Sequence, residues 1–234
     1  MNPTDRIFVA LDTTDANAAN ELADSLNGLV GGVKVGKEFF TANGPDAVKR
    51  LSEKGMPVFL DLKFHDIPNT VASAIRAAKP LSPFIIDVHA AGGEAMLKAS
   101  ADARDSFEGK KPLVIGITVL TSLGDEDLDG VGVSDTAEGQ VLRLAKLTAS
   151  CGLDGVVCSA REVTALRAAL GPDFKLVVPG IRPSWAAAND QKRIVTPSDA
   201  VKMGADYLVI GRPITAADDP VDAAKRIAEE LSGL

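Results

Sequence analysis

Cysteine and histidine are scarce in this chain, with two of each in 234 residues. Cys151 and Cys158 do not form a CxxC pair, and no Cys/His cluster is available to hold zinc. His65 and His89 therefore read as hydrogen-bonding structural groups, with His89 drawing added interest from its place at a strand end. Cys158 lies in the apolar run Val156-Val157-Cys158, where cysteine acts as a small core residue. That usage suits a reducing compartment better than a disulfide. No basic-then-apolar signal segment opens the chain, and no run is long enough to span a bilayer. The expectation is a soluble cytoplasmic protein with no membrane partner. Positive charge is also in deficit: the net charge of −7 disfavours nucleic acid or an anionic membrane as a partner. Any anionic ligand must be held by a local cluster of cations.

Low-complexity tracts are absent, and 46% apolar residues suffice for one core, so residues 1–234 read as a single domain. Short β-rich apolar runs recur at residues 7–11, 33–35, 58–62, 84–88, 113–119, 155–158, 176–178 and 207–210. Segments between or after them have helical patterning: residues 16–26, 46–54, 71–78, 94–103, 137–150, 160–170, 197–203 and 223–231. Gly and Pro mark many of the junctions. Eight strands alternating with eight helices predict an α/β fold, a (β/α)8 TIM barrel, with a doubly wound open sheet as the competitor.

Active sites of such barrels collect at the C-terminal ends of the strands. Residues at or just after the predicted strand ends are Asp12, Lys34, Asp61 with Lys63, His89, Thr118 with Thr121, Ser159, Arg182, and Gly211-Arg212. Nearly all can bind or react. The segment Asp61-Leu62-Lys63-Phe64-His65-Asp66 carries the most information. Strand alternation points Asp61 and Lys63 to one face, and removing either from water is costly unless they pair. Asp12, Lys34, Asp61 and Lys63 alternate in sign over three consecutive strands. One reading is an ion network that only holds the barrel mouth together. The other is a site, because the lysines would keep both carboxylates ionised and the carboxylates would keep Lys63 protonated, ready to deliver a proton.

Loops after strands seven and eight often build a phosphate site in this fold. Here they read Val178-Pro179-Gly180-Ile181-Arg182-Pro183 and Val209-Ile210-Gly211-Arg212-Pro213. Glycine lets backbone N–H groups approach an anion, and arginine grips its oxygens. Residues 184–196 are polar, include Gln191, and suggest a mobile loop that closes over the ligand. Thr121 and Ser122 open a Gly- and Asp-rich loop, where hydroxyls can read the edge of a base or sugar. Two lysines in the charged cluster argue against a carboxylate-bound Mg²⁺.

Taken together, these residues resemble the orotidine 5′-phosphate decarboxylase family. The segment from Asp61 to Thr70 (Asp61-Leu62-Lys63-Phe64-His65-Asp66-Ile67-Pro68-Asn69-Thr70) matches its DxKxxD signature in the bacterial form. The likeness continues through Ala10-Leu11-Asp12, Val33-Lys34-Val35-Gly36, Val88-His89-Ala90, Leu120-Thr121-Ser122, Gly180-Ile181-Arg182-Pro183, Asp190-Gln191 and Gly211-Arg212-Pro213-Ile214. It covers essentially the whole chain, with no departure at these positions. Metal-dependent sugar-phosphate decarboxylases and synthases of the superfamily share DxKxxD but carry a carboxylate where this chain has Lys34.

The resemblance implies decarboxylation of orotidine 5′-monophosphate to UMP, the last step of de novo UMP synthesis, with no cofactor and no metal. Lys63 is then similar to the lysine that protonates C6, and Asp61 to the aspartate beside the departing carboxylate. Asp12 and Lys34 are similar to the pair that binds the ribose hydroxyls and orders the charge row. Asp66 and Thr70 match residues that reach into the neighbouring site of a homodimer. Thr121, or Ser122 next to it, falls where the family contacts the pyrimidine edge. Arg182, Gln191, Gly211 and Arg212 match the phosphate-gripping set. Two other readings remain beside it: a Mg²⁺-dependent sugar-phosphate enzyme, and a catalytically silent binder of phosphorylated nucleosides.

Overall fold

The computed structural model describes residues 1–186 and 195–234. Its strands are β1 (Ile7–Ala10), β2 (Gly32–Gly36), β3 (Val58–Phe64), β4 (Ile85–His89), β5 (Leu113–Ile117), β6 (Gly155–Val157), β7 (Lys175–Pro179) and β8 (Tyr207–Ile210). All pair in parallel and in sequence order, and Ile7 beside Leu208 closes β8 onto β1. The sheet is thus a closed barrel and not the open doubly wound alternative.

Ten helices are described: α1 (Ala16–Leu26), α2 (Lys37–Glu53), α3 (Pro68–Ala77), α4 (Gly93–Asp105), α5 (Asp125–Gly130), α6 (Ala137–Ser150), α7 (Val163–Leu170), α8 (Pro197–Met203), α9 (Arg212–Thr215) and α10 (Pro220–Ser232). Local chemistry sets several of their starts. The Asp15 carboxylate accepts from the Asn17 and Ala18 N–H groups at 2.8 and 3.1 Å, satisfying donors that the first turn leaves open. Thr196 and Asp219 cap α8 and α10 in the same way. Pro68, Pro197 and Pro220 occupy first helical positions, where no intrahelical N–H bond is lost. α2 begins nine residues before the predicted 46–54 segment. It breaks at Gly44, whose φ of 68° is open to glycine, and resumes at Pro45.

Parallel strands are covered on both faces, which is why they read as continuous apolar runs. Outward residues such as Val33, Leu60, Ile86 and Val88 pack under the helices. Inward residues Phe8, Phe59, Ile85, Ile115, Val177, Tyr207 and Val209 fill the barrel's lower half. Phe8 stacks on Phe84 at 5.7 Å and meets Tyr207 edge-on at 5.5 Å. Gly32 makes room for that ring, since a Cβ there would lie 2.6 Å from it. The next inward positions toward the mouth are Lys34 on β2, Asp61 on β3 and Asp87 on β4. Charge therefore sits directly on an apolar floor.

β3 is irregular where it matters most. Leu60 pairs with Ile86 and Phe64 with Val88, four steps along β3 against two along β4. Asp61, Leu62 and Lys63 together stand opposite Asp87 alone, a bulge with two extra residues.

Candidate active site

The structure joins the four charges of the first three strands into one chain. Lys34 Nζ lies 3.1 Å from Asp12 Oδ1 and 3.4 Å from Asp61 Oδ2. Lys63 Nζ bonds the other oxygen of Asp61 and lies 3.9 Å from Asp87 Oδ2. Gly36 leaves space for this arrangement, since a Cβ there would sit 3.0 Å from Lys34 Nζ. The pairs differ in exposure: the Asp12 side chain is 60% exposed, whereas Lys34 and Asp61 are largely buried.

Strand alternation is not what brings Lys63 to Asp61. The bulge does, and it places Lys63 at φ 54°, in the left-handed region. For a residue with a side chain this costs roughly 1–2 kcal/mol. Such strain persists only where the surroundings hold it, and it concentrates at functional sites.

Burial works against ionising Asp61, yet its bond to Asp87 and the charges of Lys34 and Lys63 prevail, bringing its pKa down to about 2. Burial likewise disfavours the charged form of Lys34, but Asp61 and Asp12 more than offset it and raise its pKa. Asp87 moves the opposite way. Fully buried and next to the Asp61 carboxylate, it is pushed well above the ordinary range.

Asp87 is the site residue that sequence reading missed. The signal is an acid inside the apolar strand Ile85-Ile86-Asp87-Val88, one position short of the predicted strand end. It is 0% exposed and accepts a 2.8 Å hydrogen bond from the Lys63 backbone N–H.

The remaining predicted residues fall into three groups. Arg182 follows β7 and is only 4% exposed, and Gly211-Arg212 follows β8 and opens the short helix α9, so both loops lie at the mouth. Thr121 is exposed after β5, at the start of a loop that the structure folds partly into α5. Asp66 and Thr70 are exposed around the start of α3, beside Ile67, which is 67% exposed. They do not join the charge chain of their own barrel. Gln191 and most of the expected closing loop lie outside the described residues.

Thr118 and Ser159 serve local structure. The Thr118 hydroxyl donates to the Val157 carbonyl, and Ser159 is tied into a turn with Arg161 and Glu162. His65 and His89 rings lie 5.3 Å apart, and burial together with His65, Lys37 and Lys63 lowers the His89 pKa. Among the described residues no group of three or more His, Cys, Asp or Glu side chains converges as a metal site.

Acids and amines interleaved at the C-terminal face of a (β/α)8 barrel define an enzyme site suited to handling a charged, proton-requiring intermediate. Residues 5–227 match the Orotidine 5′-phosphate decarboxylase / HUMPS family, and the chain belongs to that family. It is 55% identical over 232 residues to the orotidine 5′-phosphate decarboxylase of Rhodospirillum rubrum, covering 97% of this chain and 94% of that protein. It is 54% identical to the orotidine 5′-phosphate decarboxylase of Idiomarina loihiensis, covering 97% of each. Among solved structures, the orotidine 5′-phosphate decarboxylase of Lactobacillus acidophilus superposes with a TM-score of 0.86 at 37% identity, covering 96% of this chain and 98% of that one.

The Asp61 shift has a measurable consequence. Its folded-state pKa, about 2, lies below the ordinary 3.8, so its contribution is present above about pH 4 and lost as pH falls toward 2. We expect the wild type to lose on the order of 2 kcal/mol more stability than Asp61→Asn across that window. Urea unfolding as a function of pH measures this; parallel acid limbs for the two proteins would contradict it.

Proposed function

We infer that this chain is a single catalytic barrel that decarboxylates orotidine 5′-monophosphate to UMP, the last step of UMP biosynthesis, without a cofactor. The observation that carries the reading is the unbroken run Asp12–Lys34–Asp61–Lys63 at the barrel mouth of a member of this family. Loss of CO₂ from C6 leaves an sp² carbanion whose electron pair no adjacent π-system absorbs. The chemistry therefore needs a fixed positive charge beside that carbon and a proton to deliver to it. Lys63 supplies both. Its ammonium is already oriented by Asp61 and by the bulge, so little reorganisation is needed as charge develops.

Asp61 is assigned a place beside the substrate carboxylate, and two facing anions favour departure of CO₂ over retention of the acid. Lys34 keeps Asp61 ionised and, with Asp12, meets the ribose hydroxyls. Arg182, Gln191, Gly211 and Arg212 take the phosphate. What supports this assignment is the buried Arg182 after β7 and the Gly211-Arg212 turn into α9 after β8. Phosphate binding far from the breaking bond helps hold the ring against Lys63. Thr121, with Ser122 adjacent, is assigned to the pyrimidine edge.

Asp66 and Thr70 serve the active site of a second copy, in a homodimer. Their exposure beside the exposed Ile67 supports that use. We place the enzyme in the cytoplasm, in line with two buried free cysteines, the Cys158 thiol being pushed up by burial. Neither nucleic acid nor a membrane is a partner in this reading. The net charge of −7 opposes nucleic acid, and among the described residues no helix is long and apolar enough to cross a bilayer.

Lys34 disfavours the metal-dependent alternative. Its ammonium lies between Asp12 and Asp61, where a divalent cation would have to bind those carboxylates. A silent nucleotide binder would gain nothing from Asp61 aimed at its ligand's acid group.

A spectrophotometric assay with orotidine 5′-monophosphate in EDTA tests the activity. We expect full turnover by the wild type and a loss of at least about 1,000-fold in kcat for Lys63→Ala. Lys63→Ala at a near wild-type rate would defeat the mechanism, and wild-type activity lost to EDTA would favour a Mg²⁺ enzyme. The cross-subunit role is tested by mixing Asp66→Ala with Lys63→Ala. Hybrids carry one intact site each, so an equimolar mixture should recover about a quarter of wild-type activity. A mixture as inactive as its components would show that Asp66 acts within its own subunit or not at all.

A further inference from the structure

Asp87 is buried, charged by nature, and unused by the mechanism above. Its Oδ1 accepts the Lys63 N–H at 2.8 Å, so a side chain occupies the place of a strand partner at the bulge. Burying that N–H unpaired would be costly. Asp87 Oδ2 is a buried oxygen to which no neighbouring group donates a hydrogen bond. The groups around it are few. Asp61 and Lys63 face it from β3, Lys34 lies beyond Asp61 on β2, His89 follows on β4, and β5 (Leu-Val-Ile-Gly-Ile) carries no ionisable side chain.

Charge counting then favours one state. Ionised Asp12, Asp61 and Asp87 would outnumber Lys34 and Lys63, and Asp87 is the member with no access to water. A proton on Asp87 Oδ2 balances the cluster and gives that oxygen a partner in Asp61. Burial and the Asp61 charge both favour the protonated form. The functional consequence concerns Lys63. A full negative charge at Asp87 would draw the ammonium down into the barrel, away from Asp61 and the substrate. A neutral acid leaves it at the mouth.

We propose that Asp87 is a positioning residue: a neutral carboxylic acid whose Oδ1 holds the Lys63 N–H and whose Oδ2–H bonds Asp61, locking the bulge that carries the reacting amine. The proposal rests on the decarboxylase reading for its kinetic part. Asp87→Asn keeps a neutral acceptor and a neutral donor at the same atoms, whereas Asp87→Leu keeps only the bulk. For turnover of orotidine 5′-monophosphate by the full chain, the asparagine variant should stay within about tenfold of the wild-type kcat. The leucine variant should lose at least about 100-fold in kcat with KM changed far less, because the amine is misplaced while the phosphate and ribose contacts remain.

Stability supplies a readout independent of activity. A buried acid kept protonated gains protons on folding, so wild-type stability falls relative to Asp87→Asn as pH rises above the ordinary carboxylate range. Asparagine's advantage should therefore grow from about pH 4 to neutrality in urea unfolding. A loss of more than about tenfold in kcat for Asp87→Asn, or an asparagine variant whose relative stability falls with rising pH, overturns the proposal. So does a leucine variant that folds and works as the wild type does. Should the leucine variant not fold, the asparagine variant alone decides on both measures. A wild type with no turnover would instead refute the decarboxylase reading, leaving the stability comparison to judge Asp87.

Discussion

A lysine amine held among carboxylates at the mouth of an apolar barrel is the interaction on which the rest depends. In water such pairs are worth little. Here Phe8, Phe59, Ile85, Ile115, Val177, Tyr207 and Val209 form a floor beneath them, and that low-dielectric support makes each charge depend on its neighbours. Removing Lys34 leaves Asp12 without its counter-charge, and removing Asp61 takes from Lys63 the carboxylate it bonds. The same mutual dependence fixes positions: Lys34 cannot leave Asp61, and Lys63 is held from one side by Asp61 and from below by Asp87. Preorganisation of this kind lets one ammonium serve as both electrostatic partner and proton source.

The barrel supplies the geometry in two ways. Consecutive strands β1, β2 and β3 are hydrogen-bonded neighbours, so residues remote in sequence become a row of alternating sign. β3 then departs from regularity at the point of chemistry. In a flat strand Asp61 and Lys63 would share a face about 7 Å apart along the chain. The two-residue bulge folds that distance away, at the cost of a strained φ at Lys63. Stability is given up locally to hold the amine against its partner.

Much of this was legible in the sequence, because parallel strands buried on both faces leave apolar runs that need no context to read. Seven strands and the residues at their ends could be placed that way, as could the DxKxxD segment; β2, Gly-Val-Lys-Val-Gly, could be placed only by the pattern around it. What escaped was tertiary in origin. The bulge leaves no mark in residue type, since Leu62 and Phe64 look like ordinary strand positions. Asp87 was overshadowed by His89 two residues later, although an acid between Ile86 and Val88 is the stronger anomaly. The first half of α2 was hidden by Gly44-Pro45, which reads as a helix start but is a kink within a longer element.

The central claim, that Lys63 faces the carbon which loses CO₂, is tested most directly by a crystal structure of the chain with bound UMP. The account predicts Lys63 Nζ within about 3–3.5 Å of pyrimidine C6, with Asp61 beside the vacated carboxylate position. C6 directed away from Lys63, with another group nearer to it, would contradict the account.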